Sequence, residues 1–247
     1  MTHIVTSHEV QQTQSVLGFL LINKTNISPE QFINQEFHDI ELFNFLESID
    51  ILFQPMLAKE NEKKLTLDTP PPSLNICFSS SDNIHEDSEL LFERTFIREK
   101  NVLKAKHDYL VIPKAYRNQG LSRVVMALCL RQYELMGVTK VQVHAGFENG
   151  GYAWARMGFR ATDQRQVKKI LDDARVNPKI GKEQYEAMKA LYDAYYLDPN
   201  RDFRGFFIYE WSILICGREA LMGSDWIGEF DLSDPSELVN FKNYVKR

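Results

Sequence analysis

A chain of 247 residues, 44% hydrophobic and 26% charged, is long enough for one large domain or for a core domain with elaborations. Its formal net charge of −5 lacks the basic excess usual in nucleic-acid binders, so nucleic acid is not an expected partner. The three cysteines, Cys77, Cys129 and Cys216, are far apart and form no CxxC pair. They read as reduced, buried thiols of a cytoplasmic protein, not as a disulfide frame or a zinc site.

The N-terminus shows no basic region followed by a long apolar run, so no signal peptide is expected. "SVLGFLLI" is about half the length a membrane-crossing helix needs, so no membrane partner is expected either. An apolar stretch runs from Val16 to Ile22, and a helix is expected from about Pro29 to Leu46. Phe32, Phe37, Leu42, Phe43 and Leu46 supply its apolar face, with an imperfect period. "ENEKKLTLDTPPPS" follows, and its charges and three prolines predict a connector rather than a helix or central strand. Residues 1–73 therefore read as a mostly helical extension.

From residue 74 the texture changes. "SLNICFSS", "ELLFERTFI" and "VLKAKHDYLVIP" read as three strands. A turn then leads into a helix over about Leu121 to Met136, with Gly137 as its C-cap. Leu121, Val124, Val125, Leu128 and Leu135 are its expected buried stripe. The strand "KVQVHAGF" and a short helix in "GGYAWARMGF" complete a βαβα unit ending at residue 162.

Residues 163–200 predict a helical hairpin around "NPKIG". Val167, Ile170, Leu171 and Ala174 mark one face, and Tyr185, Met188, Leu191, Tyr192 and Tyr195 the other. In 201–247, "FFIYEWSILICGREALMGSDWIGEFDL" reads as one or two further strands. Asp234 before Pro235 then opens a last helix. The expected fold class is α/β (α+β), a mixed, mainly antiparallel twisted sheet flanked by helices.

The chemistry concentrates in "YRNQGLSRVV", residues 116–125. A strand turning through "RNQGLS" into a helix aims unpaired backbone N–H groups and the positive end of the helix dipole at one spot, an anion site. Gly120 permits a positive φ and close approach of a ligand, Ser122 is small, and Arg117 and Arg123 add charge suited to a diphosphate. One glycine does not make a dinucleotide fingerprint, and no Gly-Lys-Ser/Thr follows for a nucleotide triphosphate. From this stretch alone, an ordinary strand-to-helix turn and a phosphate cradle stand equally.

The order strand, R-x-x-G-x-small turn, helix, strand, short helix and "GF" across residues 74–162 resembles the core of the GNAT N-acetyltransferase superfamily. That resemblance implies acetyl-CoA (CoA) as cosubstrate, no metal, and acyl transfer to the amine of a small molecule or protein. It puts Arg117, Gly120 and Ser122 on the diphosphate-binding motif, with Asn118, Gln119, Leu121 and Arg123 beside them. Leu110, Val111 and Ile112 then belong to a strand that splays at a bulge and meets pantetheine. Ser122 stands where members usually carry Gly or Ala. Trp154 stands where many carry a tyrosine, and Tyr152, two residues earlier, is the alternative proton donor to the thiolate.

Amine attack needs a proton acceptor, for which Glu93, Asp108 and His144 are candidates; Glu148 and Asn149 sit where substrate would pass. His85, Glu86 and Asp87 lack the spacing of a zinc helix. The resemblance leaves a second function open, a catalytically silent CoA-binding or protein-interaction module. The hairpin is expected either to cover the substrate groove or to form a homodimer contact.

Overall fold

The computed structural model describes residues 2–57, 62–80 and 89–246, the side chains of 147 and 148 excepted. The fold is mixed α/β, with mainly antiparallel strands flanked by helices. The chain divides into two compact units, Met1–Lys140 with Val245–Arg247, and Val141–Tyr244.

The first unit opens with α1 (Ser7–Ser15), capped by the Thr6 side chain, which accepts from the Glu9 N–H. There follow β1 (Leu20–Asn23), α2 (Pro29–Glu36), α3 (Leu42–Phe53), β2 (Glu62–Asp68), β3 (Ser73–Ser79), β4 (Leu91–Glu99), β5 (Val102–Val111) and α4 (Leu121–Met136). Its strands lie in the order β1-β2-β3-β4-β5. β1 is parallel to β2, and the other neighbours are antiparallel. One face of β2–β4 carries Leu65, Leu67, Leu74, Ile76, Phe78, Phe92 and Phe96, all buried. Phe78 anchors this core, with the rings of Phe19, Phe53 and Phe92 at 5.1, 5.6 and 5.9 Å.

Three expectations are corrected in this unit. The helix over 29–46 is two helices. Ser28 and Gln31 form a capping box that starts α2, and the chain breaks at Asp39 (φ 62), whose carboxylate accepts the His3 N–H at 2.8 Å. Phe37 and Leu42 would point about 140° apart on one continuous helix. The break lets both become fully buried.

"ENEKKLTLDTPPPS" is no mere connector, because β2 runs through it. Leu65 and Leu67 alternate into the core and the prolines are confined to the turn before β3. In α4 the buried arc is Val125, Met126, Cys129, Leu130, Gln132, Tyr133 and Met136, while Val124 and Leu135 are exposed. Gln132 and Tyr133 can face inward because each meets polar partners there. The Gly137 C-cap has the expected left-handed conformation.

The second unit contains β6 (Lys140–Ala145), α5 (Phe147–Met157), β7 (Arg160–Ala161), α6 (Gln164–Val176), α7 (Lys182–Tyr196), α8 (Tyr209–Ser212), α9 (Gly217–Leu221), β8 (Trp226–Asp231) and α10 (Pro235–Lys246). Its strand order is β6-β8-β7. α6 buries Val167, Ile170, Leu171 and Ala174 as its spacing predicts. α7 buries Met188 alone, whose carbonyl accepts the Trp211 indole N–H at 3.1 Å, and its tyrosines stay half-buried.

"FFIYEWSILICGREAL" holds two short helices, not a strand, apart from a single bridge between Phe206 and Ala161. A continuous apolar run does not distinguish the two states. Here Ile208, Trp211 and Cys216 are buried while Ile213 and Ile215 face outward. β8 is the one regular strand of that tail, and Asp234 caps α10 by accepting the Ser236 N–H at 2.8 Å.

Candidate functional site

β5 ends at Val111 and a 3-10 turn, Lys114–Tyr116, carries the chain to the start of α4. Tyr116 ties this turn down by donating its hydroxyl to the Pro55 carbonyl at 2.6 Å. Asn118 (φ 64) and Gly120 (φ 77) both adopt the left-handed conformation, which asparagine and glycine tolerate best. Left-handed residues in a turn of this kind can aim successive N–H groups at one spot, as anion-binding turns do. The Arg123 and Val124 amides both donate to the Gly120 carbonyl, at 2.9 and 3.2 Å. The N–H groups of Gly120, Leu121 and Ser122 donate to nothing among the described residues. A Cβ at Gly120 would meet nothing within 4 Å, so the glycine answers to the backbone angle and to an open space in front of it.

The other predicted cradle residues are gathered in the same turn. Arg117 sends its Nε to the Ile112 carbonyl at 2.8 Å, so part of this guanidinium staples the turn together. Gln119 does the same through Nε2 to the Ala115 carbonyl at 3.2 Å. Ser122 and Arg123 are half-buried on the first turn of α4, and Leu110 is half-buried at the end of β5.

Just before the turn the β4–β5 ladder slips. Glu93 pairs with Tyr109 and Arg94 with His107, leaving Asp108 as the extra residue of a bulge. On the half-buried face, the Thr95 hydroxyl donates to Asp108 Oδ2 at 2.7 Å and the Lys106 ammonium lies 2.5 Å from Oδ1. Asn75 Nδ2 donates to Glu93 Oε1 and to Thr95 Oγ1, both at 2.9 Å. Two of the three candidate bases, Glu93 and Asp108, thus share one polar network. Cys77 lies on this face, and burial, with the charge of Glu93, pushes its thiol up to about 11, leaving it protonated and inert at neutral pH.

The opposite face carries groups that sequence reasoning missed. Arg94, His107 and Tyr133 are buried together, and the His107 Nε2 lies 2.7 Å from the Tyr133 hydroxyl. Burial, then the Arg94 charge, holds His107 well below its ordinary value. Burial, reinforced by Cys129, holds the Tyr133 phenol well above its own. The signal was present in the strand alternation, which puts Arg94 on the same face as Phe92 and Phe96.

In the second unit, His144 is exposed at the end of β6, with its Nε2 2.5 Å from Asp225 Oδ1. Asp225 had no distinguishing mark in the sequence. Tyr152 is half-buried on α5 and Asn149 is exposed there. Trp154 packs edge-on against Phe159 at 5.4 Å, a core position rather than a proton donor's. Gly151 is forced by packing, since a Cβ there would lie 2.1 Å from the Ser224 hydroxyl and 2.4 Å from the Leu221 carbonyl. His85, Glu86, Asp87 and the Glu148 side chain lie outside the described residues. Among the described residues no group of three or more His, Cys, Asp or Glu could hold a metal ion. No described helix is long and apolar enough to cross a membrane.

No protein-family model matches the chain. No curated protein matches it. A chain in the solved structure "The crystal structure of KacTA-DNA complex" aligns over 38% of this chain and 62% of its own length, with 19% identity and a TM-score of 0.25. At that score the likeness bears on neither fold nor function.

Proposed function

We propose that this protein is an acyl-CoA-dependent N-acyltransferase that moves an acetyl group from acetyl-CoA to an amine. The observation that carries the reading is the row of N–H groups at Gly120, Leu121 and Ser122 that have no partner among the described residues, at the start of a 16-residue helix, with open space at the Gly120 Cβ position. Such a helix start suits a phosphate group, and Arg123 on the same turn adds positive charge. The bulge at Asp108 adds a second support, because it interrupts pairing on the strand that leads into the cradle. The GNAT-like order of elements seen in the sequence agrees with both.

In this reading the amine nitrogen attacks the thioester carbonyl carbon, the C–S bond breaks, and CoA leaves as its thiolate. Glu93, held by Asn75 beside the bulge, takes the amine proton. The sequence names two further groups, both on the second unit: His144, paired with Asp225, as an alternative acceptor of that proton, and the Tyr152 hydroxyl, or else water, as the donor to the thiolate. The acceptor is an amine-bearing small molecule or protein.

The test is release of free CoA thiol from acetyl-CoA, measured against a panel of polyamines, aminoglycosides and lysine peptides. Amine-dependent release supports the assignment. Binding of acetyl-CoA without release from any amine would favour the silent CoA-binding module, and no binding at about 1 mM would end the CoA reading altogether.

A further inference from the structure

Arg94 is 1% exposed, yet it forms no ion pair among the described residues. A buried charge without a counter-ion is costly unless its donors are used. Its Nη1 donates to two backbone carbonyls, Tyr109 at 2.6 Å and Glu93 at 2.7 Å. Its Nη2 reaches the Met126 sulfur at 3.9 Å, and its guanidinium lies 4.5 Å from the centroid of the Phe92 ring. The Nε has no hydrogen-bond partner. The two carbonyls are those of the pair that adjoins the bulge, Glu93 and Tyr109. Arg94 therefore clamps the ladder where its register changes.

The clamp has a consequence on the far side of β5. The 109–110 peptide is trans, since the cis bonds among the described residues are Thr69-Pro70 and Pro70-Pro71. In a trans peptide the C=O and N–H point in opposite directions. With the Tyr109 carbonyl held toward β4 by a cation, the Leu110 N–H is aimed away from β4, and the bond to a charged donor polarises that same peptide.

We infer that Arg94 is a positioning residue, which orients and polarises the Leu110 N–H as the donor to the thioester oxygen at the C-terminal end of β5. This inference rests on the acyl-CoA reading. It assigns to a side chain inside the core the task of setting a backbone donor on half-buried Leu110.

Calorimetry with two probes tests it. Acetyl-CoA engages both cradle and strand; adenosine 3′,5′-bisphosphate engages the cradle end alone. Arg94→Met is expected to weaken acetyl-CoA binding about tenfold or more and to leave the bisphosphate within about twofold. A merely structural role for Arg94 would weaken both probes by the same factor, and that result, or no change in either, overturns the inference. Should Arg94→Met not fold, Arg94→Lys is read in its place. It keeps the charge without bridging both carbonyls, so it is expected to lose a few-fold in acetyl-CoA affinity and nothing in bisphosphate affinity; equal losses overturn the inference there too. If the wild-type protein binds neither probe, the acyl-CoA reading itself has failed and takes the inference with it.

Discussion

His107 and Tyr133 meet inside the first unit through a 2.7 Å contact between imidazole Nε2 and phenol hydroxyl, with Arg94 and Cys129 as the titratable groups beside them. Both rings are held in their neutral forms by burial. The pair therefore couples protonation to stability. The unfolded chain takes up a proton on His107 as the pH falls below its ordinary value of 6.5, and the folded chain does not. Unfolding then binds a proton, so stability declines below about pH 6.5 by up to about 1.4 kcal/mol per pH unit and is unaffected by this group above it. Urea unfolding at pH 7 and pH 5 should show that loss in the wild type and a clearly smaller one in His107→Gln. Equal pH dependence in the two proteins would refute the assignment.

Tyr133→Phe removes the hydroxyl that the buried imidazole meets. The expected cost is about 1–3 kcal/mol at pH 7, read as a lower urea midpoint with an unchanged slope. A cost below a few tenths would mean that the contact contributes nothing.

Gly151 and Gly217 test the packing of the second unit. A Cβ at Gly217 would lie 2.3 Å from the Trp211 carbonyl, and one at Gly151 would lie 2.4 Å from that of Leu221. Backbone atoms cannot yield as a side-chain tip does. Gly151→Ala and Gly217→Ala should each lower stability by at least about 1–3 kcal/mol, seen in thermal melts. Gly223→Ala, with φ 71 and no atom within 4 Å, is a control that bears only the cost of its backbone angle.

Much of the first unit could be read directly from residue order. β3, β4 and β5 announce themselves by alternation, and α4 ends at Gly137 because a left-handed C-cap suits glycine. β2 was hidden because three prolines and several charges outweighed the short pattern Leu65-Thr66-Leu67. The buried arc of α4 is not legible in the sequence, because nothing local marks Gln132 and Tyr133 as inward-facing and only their partners on distant segments explain their burial. The candidate site divides the same way. The cradle residues are contiguous and were legible together. The clamp of Arg94 on Glu93 and Tyr109 depends on a register shift, and the pairing of His144 with Asp225 on a contact 81 residues apart in sequence; neither has a local signature.

Glu93→Gln separates binding from proton transfer. The substitution keeps the shape and leaves the cradle untouched, so acetyl-CoA affinity should stay within about twofold. Turnover with the amine that supports thiol release should fall about 100-fold or more, as expected for a lost general base. Undiminished turnover would remove Glu93 from the mechanism and turn attention to His144.

The most direct measurement is acetyl-CoA binding by calorimetry to the wild type and to Gly120→Val. Valine at φ 77 disturbs the cradle backbone and fills the open space before it, while no neighbouring atom lies within 4 Å to disrupt the fold. Saturable binding by the wild type and a loss of at least about tenfold in the variant are expected, with the fold intact by circular dichroism. Equal binding by the two proteins, or none by the wild type, would contradict that expectation.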